Sequence, residues 1–310
     1  MKRILVTGGS GFIGSHIVES FQGKCEIRVL DSFRTGFRSN LNGLECELIE
    51  GDVSDRATVK EAVQGVDYIF HLAALVSVPE SMEKIVECNK INAEGTIILL
   101  EEAANAGVKK LVLSTSAANY GDNPVSPKVE TMTPEPKSPY SITKLDGEYY
   151  CNMFTTTGRL QTACLRYFNV FGPRQNPKSA YAAAVPIFIT KALANEDITI
   201  FGDGEQTRDF VFVKDIVAAN AFMAENPFTG VYNVAYGGKM TINTLAKMIV
   251  EILGSKSRIV YLPERPGDVK HSTACVDKLL GTGFKPSWDF RRGLEVTVQS
   301  YVDALKAAGN

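Results

Sequence analysis

Tyr140 and Lys144 stand four residues apart in Tyr140-Ser141-Ile142-Thr143-Lys144, a spacing that on a helix puts both side chains on one face, about a turn apart. An ammonium close to a phenol favours the phenolate and draws the Tyr pKa down from about 10 toward working pH. Tyr140 is therefore a candidate general base for a hydroxyl proton. Such a pair also arises by chance on solvated helices. Its weight here comes from the hydroxyl run Ser114-Thr115-Ser116, which ends the apolar strand Leu111-Val112-Leu113. The carboxyl edge of a parallel sheet is where ligands of such folds bind.

A second constellation lies at the start of the chain. Thr7-Gly8-Gly9-Ser10-Gly11-Phe12-Ile13-Gly14 follows an apolar strand and opens a helix, and it satisfies GxGxxG through Gly9, Gly11 and Gly14. Glycines there allow a tight turn, close approach of backbone to a pyrophosphate, and close packing of helix on strand. The helix N-terminus then offers free N–H groups and a positive dipole end to phosphates. Asp31 follows Gly11 by 20 positions at the end of the second strand, placed to accept hydrogen bonds from adenosine ribose hydroxyls. A carboxylate at that point repels a 2′-phosphate and favours NAD over NADP, although Arg34 nearby pulls the other way. Asp52, after the third strand, is placed either to bond the adenine amino group or to cap a helix.

These groups need a scaffold, and the chain supplies one. Ile4–Val6, Ile27–Leu30, Glu47–Glu50, Tyr68–Leu72 and Leu111–Ser114 read as strands that alternate with helical segments. One such segment runs from Phe12 to about Phe21; another runs from Ala93 to Ala106 and is closed by Gly107. That rhythm predicts an α/β fold with a doubly wound parallel sheet. After about residue 172 turn-rich and proline-punctuated sequence takes over, so residues 1–172 are expected to form the dinucleotide domain. Residues 173–310 are expected to form a smaller mixed lobe on the other side of a cleft, with some segments returning to the first domain.

Composition limits the alternatives. Apolar residues make up 45% of the 310 and charged residues 22%, with a formal charge of -2 and no long basic run. Nucleic-acid binding, which needs a concentrated basic surface, is not expected. No segment reaches the roughly 18 apolar residues of a membrane span, and the short apolar start is no signal sequence. Six scattered cysteines without metal-like spacing read as free thiols in a reducing cytoplasm, with no metal site. His71, at the end of a strand, reads as a packing or supporting residue, and His16 as a surface or packing one.

Taken together the motifs resemble the extended short-chain dehydrogenases/reductases, specifically the UDP-hexose 4-epimerases. The resemblance rests on TGGSGFIGSH at the start, HLAA at 71–74, NAEGT at 92–96, STSAANYG at 114–121 and PYSITK at 139–144. It continues through RYFNVFGPRQ at 166–175, FGDGEQTRDFVFV at 201–213 and RPGD at 265–268. It implies a tightly bound, recycled NAD, a UDP-sugar substrate and a homodimer built on two helices per subunit, with segments 85–106 and 140–157 as candidates. It also implies Tyr140 as base, Ser116 as the hydroxyl bonding the reacting oxygen, and Lys144 on the nicotinamide ribose. Cofactor contacts would include Ser32, Val53, Leu72, Ala73, Ala74, Asn92, Ser114 and Tyr167. Asn169, Arg208 and Arg265 would hold the diphosphate, whose oxygens suit the arginine fork. Phe201 lies in the uridine-contacting segment, and Ser77, Val185, Asp268 and Ser272 complete the substrate candidates. Asn119 departs from the small aliphatic residue usual there, which bears on local packing.

Two positions bear on reaction and substrate. Related 4,6-dehydratases carry an Asp-Glu pair beside the catalytic hydroxyl, and related decarboxylases a Glu; here Ala117-Ala118 follow Ser116. Redox-neutral epimerisation is therefore favoured over elimination, over UDP-glucuronic acid chemistry, and over a non-catalytic NAD-binding regulator, which usually loses the Tyr or Lys. In the epimerases resembled, the position of Ser272 gates pocket volume. A serine there is expected to admit a 2-acetamido sugar, with UDP-GlcNAc/UDP-GalNAc and also UDP-Glc/UDP-Gal accepted.

Overall fold

A computed structural model describes residues 2–177, 183–264 and 270–308. Seven parallel strands form the central sheet. They comprise β1 (Arg3–Thr7), β2 (Glu26–Asp31), β3 (Glu47–Glu50), β4 (Tyr68–His71), β5 (Lys110–Ser116), β6 (Gln161–Tyr167) and the strand Gly230–Val234. Their order is β3-β2-β1-β4-β5-β6 followed by Gly230–Val234, so the winding reverses beside β1. That reversal opens a crevice between β1 and β4 at their carboxyl ends, the usual ligand position in such sheets.

The inner strands are apolar on both faces because helices cover both. On β1, Ile4 and Val6 join one core while Leu5 joins the other, and on β4 Phe70 and Ile69 divide in the same way. The first core is closed by helices Phe12–Ser20 and Val213–Glu225, through Ile17, Val18, Ile216 and Met223. Helices Arg56–Ala62, Gly95–Asn105 and Pro139–Thr156 close the second, through Val59, Leu99, Cys151 and Phe154. Gly230–Val234 and helix Val213–Glu225 thus lie with the first domain although they follow residue 172.

The remaining residues build a third core. Phe171, Phe210, Phe212 and Phe290 pack against one another and against helices Ala184–Leu193 and Ile242–Leu253. Around it run short ladders. Phe210–Phe212 pairs with Asn169–Phe171, Ile198–Phe201 with Ile259–Leu262, and Thr207–Arg208 lies between Met240–Thr241 and His271–Ser272. Among the described residues no helix is long and apolar enough to cross a membrane.

Candidate active site

The glycine turn is built as the spacing requires. Gly8 has φ +71°, and a Cβ there would lie 2.8 Å from Ala73 N. A Cβ on Gly14 would lie 2.1 Å from Gly8 O, so the helix seats directly on the turn. Gly11 is the N-cap of helix Phe12–Ser20 and brings no side chain to its free N–H groups. An uncapped helix start facing a cavity suits an anionic pyrophosphate. The Asp31 carboxylate is aimed by two backbone donors, Ser10 N and Phe33 N, each at 2.8 Å on a different oxygen. Arg34 does not compete for the cofactor's ribose. Its guanidinium is held by Glu80 at 2.7 Å and by Glu87.

A cavity of about 1160 Å³ runs from this turn to the catalytic helix. It brings together Gly8, Gly11, Phe12, Ile13, Gly14, Asp31, Ser32, Asp52, Val53, Leu72, Ala73, Ala74, Ser114, Tyr140, Lys144 and Tyr167, along with Ser77 and Ser116. Asp52 Oδ1 accepts from Ser54 N at 2.8 Å, while the following helix is capped by Asp55, so Asp52 is no helix cap. The residues present therefore fit NAD: a tight glycine cradle, an uncapped helix start, and an aimed carboxylate at the end of the second strand.

At the inner end stand the reacting groups. Ser138 and Pro139 start the helix, with a reciprocal Ser138–Ser141 cap that fixes its first turn. A Cβ on Gly147 would lie 2.9 Å from Leu113 Cδ2, so the glycine lets the helix press onto β5. Tyr140 thereby lines the cavity together with Ser116, whose Oγ accepts from Ala118 N at 3.1 Å. Lys144 Nζ donates to Ser114 O at 2.8 Å and lies 6.0 Å from the Tyr140 ring centre. Burial pushes Lys144 down to about 8. Tyr140 is not drawn down as the spacing predicts. Burial raises it above its ordinary value, and the Ser116 hydrogen bond offsets this only in part. Partial burial of the phenol outweighs an ammonium that is itself bound to a carbonyl.

Behind this wall lie two buried polar networks. Glu148 accepts from Thr115 Oγ1 (2.8 Å), Asn119 Nδ2 (2.9 Å) and Arg166 Nε (2.9 Å) on one oxygen, and from Arg166 Nη2 (2.6 Å) on the other. Asn119, the departure from the aliphatic residue, thus braces the hydroxyl strand against the catalytic helix. The second network centres on His71. Thr96 Oγ1 donates to Asn92 O at 2.5 Å, so it must accept from His71 Nε2–H at 2.9 Å, leaving Nδ1 to accept from Thr7 Oγ1 at 2.7 Å. Complete burial keeps this imidazole neutral, down to about 3. His16 is buried too and bonds Pro173 O at 2.9 Å, so it is a packing residue and not a surface one.

Several expected contacts fall elsewhere. Asn92 does not line the cavity. It sits on a π-helical turn, Lys90–Glu94, and bonds Leu75 N (2.7 Å), Leu75 O (3.1 Å) and Thr143 Oγ1 (3.1 Å). Val185 is fully buried in the third core. Asn169, Phe201, Arg208 and Ser272 stand on the second lobe outside this cavity, with Ser272 paired to Arg208. Arg265 and Asp268 lie outside the described residues. Conversely, motif spacing does not single out Arg174, which lines the cavity and bonds Ser15 Oγ at 3.2 Å beside the first turn of helix Phe12–Ser20. The signal that could have found it is a cation in the turn directly after Gly172-Pro173.

Comparison with known proteins places this arrangement. The profile of the NAD dependent epimerase/dehydratase family matches residues 4–235. A UDP-N-acetylglucosamine 4-epimerase from Methanobrevibacter ruminantium M1, solved in complex with UDP-N-acetylmuramic acid, is 42% identical with a TM-score of 0.94, covering 98% of this chain and 99% of that one. A UDP-glucose 4-epimerase from Thermotoga maritima, solved with UDP-glucose, is 38% identical with a TM-score of 0.93, at 98% and 99% coverage. A UDP-N-acetyl-alpha-D-glucosaminuronate decarboxylase from Bacillus cytotoxicus is 31% identical over 322 residues, 96% of this chain and 97% of that one.

Proposed function

The chain belongs to the NAD dependent epimerase/dehydratase family, and from that premise we propose that it interconverts UDP-hexoses at carbon 4, taking UDP-GlcNAc/UDP-GalNAc and also UDP-Glc/UDP-Gal. The observation that carries the reading is that Tyr140, Ser116 and the buried Lys144 come together on the wall of the dinucleotide cavity. NAD, when bound, supplies a hydride acceptor that returns the hydride and is not consumed. Tyr140 takes the proton of the 4-hydroxyl as carbon 4 is oxidised, and returns it when carbon 4 is reduced from the other face. Ser116 holds the same oxygen. Lys144 fixes the nicotinamide ribose and keeps a positive charge near the developing phenolate. Asn169, Arg208 and Arg265 hold the diphosphate while the 4-ketose turns.

Epimerisation is favoured over elimination or decarboxylation by the surroundings of Ser116. Ala117 and Ala118 follow it, and Glu148, just behind its strand, is tied to Arg166 at 2.6 Å and fully buried. The small side chain of Ser272, on the strand beside Arg208, supports room for a 2-acetamido group. The test is side-by-side turnover of UDP-GlcNAc and UDP-Glc by the purified protein without added NAD. Equilibration of both, or of UDP-GlcNAc preferentially, is expected. A 4-keto-6-deoxy product or no turnover would overturn the reading, and turnover of UDP-Glc alone would overturn the substrate range.

The same reading includes a homodimer. Ile142, Tyr149 and Met153 on the catalytic helix and Met82, Ile85 and Val86 on the helices from Val78 to Asn89 are exposed apolar side chains on elements that pack together. Exposed apolar side chains of this kind support association with a second copy. Light scattering is expected to give twice the chain mass, and Tyr149→Glu with Met153→Glu to give monomer.

A further inference from the structure

We propose that Asp209 is the positioning residue of the substrate face: its buried carboxylate and its backbone carbonyl together hold in register the segments bearing Asn169, Arg208 and Ser272. The inference rests on the reading above, in which those three residues meet the UDP-sugar.

Asp209 follows Arg208 directly and is fully buried. Its Oδ1 accepts from Tyr236 N at 2.9 Å and Gly237 N at 3.2 Å, and its Oδ2 from Gly237 N at 3.2 Å and Ala274 N at 3.2 Å. Its carbonyl accepts from both Asn169 N at 3.1 Å and Asn169 Nδ2 at 3.0 Å. One residue thereby ties the start of Asn169–Phe171, the loop after Gly230–Val234, and the chain two residues beyond Ser272. Ser272 in turn pairs with Arg208, so one of the arginine's two flanking strands leads directly into the segment that Asp209 ties at Ala274.

Among the described residues the partners of its carboxylate are backbone N–H groups, not a cation. A buried carboxylate without a cation is costly, and burial accordingly pushes Asp209 up to about 6. Packing alone would be served as well by an apolar residue. What an apolar residue cannot do is hold donors from two loops and thereby fix the spacing of Arg208 and Ser272 across a diphosphate and its sugar. The Asn169 amide shows the same design: its Nδ2 is committed to the Asp209 carbonyl. Asp209 itself touches neither substrate nor cofactor.

The test uses the full-length, NAD-loaded protein with Asp209→Asn, a near-isosteric change that turns one acceptor into a donor facing backbone N–H groups. The expected result is a rise of about 10- to 100-fold in both the KM for UDP-GlcNAc and the Kd for UDP, the scale of a lost charge-assisted hydrogen bond with a donor left unpaired. The kcat should stay within about threefold and NAD should remain bound, a split that general loosening of the fold would not give. Unchanged KM and UDP affinity in a folded variant would overturn the proposal, as would parallel losses of kcat and NAD. Arg208→Ala, measured alongside, separates the two levels. If it leaves UDP binding intact, the reading of the substrate face fails; if it weakens binding while Asp209→Asn does not, the Asp209 proposal alone fails. Should Asp209→Asn not fold, hydrogen exchange of the unaltered protein decides. The amides of Tyr236, Gly237 and Ala274 should gain protection with UDP and not with NAD, and no gain with UDP would overturn the proposal.

Discussion

The substitution His71→Asn should flatten the acid limb of the protein's stability curve. His71 is fully buried, with both ring nitrogens committed to threonine hydroxyls, and it titrates at about 3 against an ordinary value of 6.5. The folded chain therefore binds fewer protons here than the unfolded chain below pH 6.5. The stabilisation is fully present above that pH and is lost as pH falls toward 3. Each unit below 6.5 costs about 1.4 kcal/mol, so a change from about pH 7.5 to about pH 5 should remove about 2 kcal/mol through this residue alone. The carboxamide that replaces the imidazole does not titrate. Urea unfolding of both proteins at the two pH values, with NAD saturating, should show the unaltered chain losing about 2 kcal/mol more than the variant. Equal losses in the two proteins would refute the buried neutral imidazole, and with it the inferred tautomer.

The remaining predictions concern the chemistry. Tyr140→Phe should lower kcat by about 10²- to 10⁴-fold while NAD copurifies unchanged, read from turnover and from cofactor released on denaturation. An unaffected kcat would remove Tyr140 as the base. Ser272→Tyr should reduce kcat/KM for UDP-GlcNAc by about tenfold or more while leaving UDP-Glc within about threefold, since only the 2-acetamido group needs the added volume. Equal losses on both sugars would place Ser272 away from the sugar's C2 side.

The parts of the site that could be read from sequence are the local ones. A strand, a glycine turn and a helix are contiguous, so Gly8, Gly11, Gly14 and Asp31 declare their geometry by spacing alone, and Tyr140 and Lys144 do so by helical period. Asn92 misleads because its motif sits on a π-helical turn, which rotates the amide off the cavity and onto Leu75 and Thr143. The Tyr140 pKa misleads because its direction depends on burial, which no four-residue spacing reveals. Asp209 and the Glu148–Arg166 pair are invisible for a third reason. Their partners come from segments up to 65 residues away, and only the fold brings those together. The reason for Val185 is similar: its helix turns it into an aromatic core instead of the cleft.

If one bound cofactor both oxidises and reduces carbon 4, the hydrogen on that carbon never mixes with solvent. UDP-GlcNAc carrying deuterium at carbon 4, incubated with the purified protein in ordinary water and followed by NMR, reads this out. UDP-GalNAc that retains the deuterium at carbon 4, formed without added NAD, is the expected product. Epimer that has exchanged its label for solvent hydrogen, or label found at carbon 6 of a dehydrated product, would contradict the proposed mechanism.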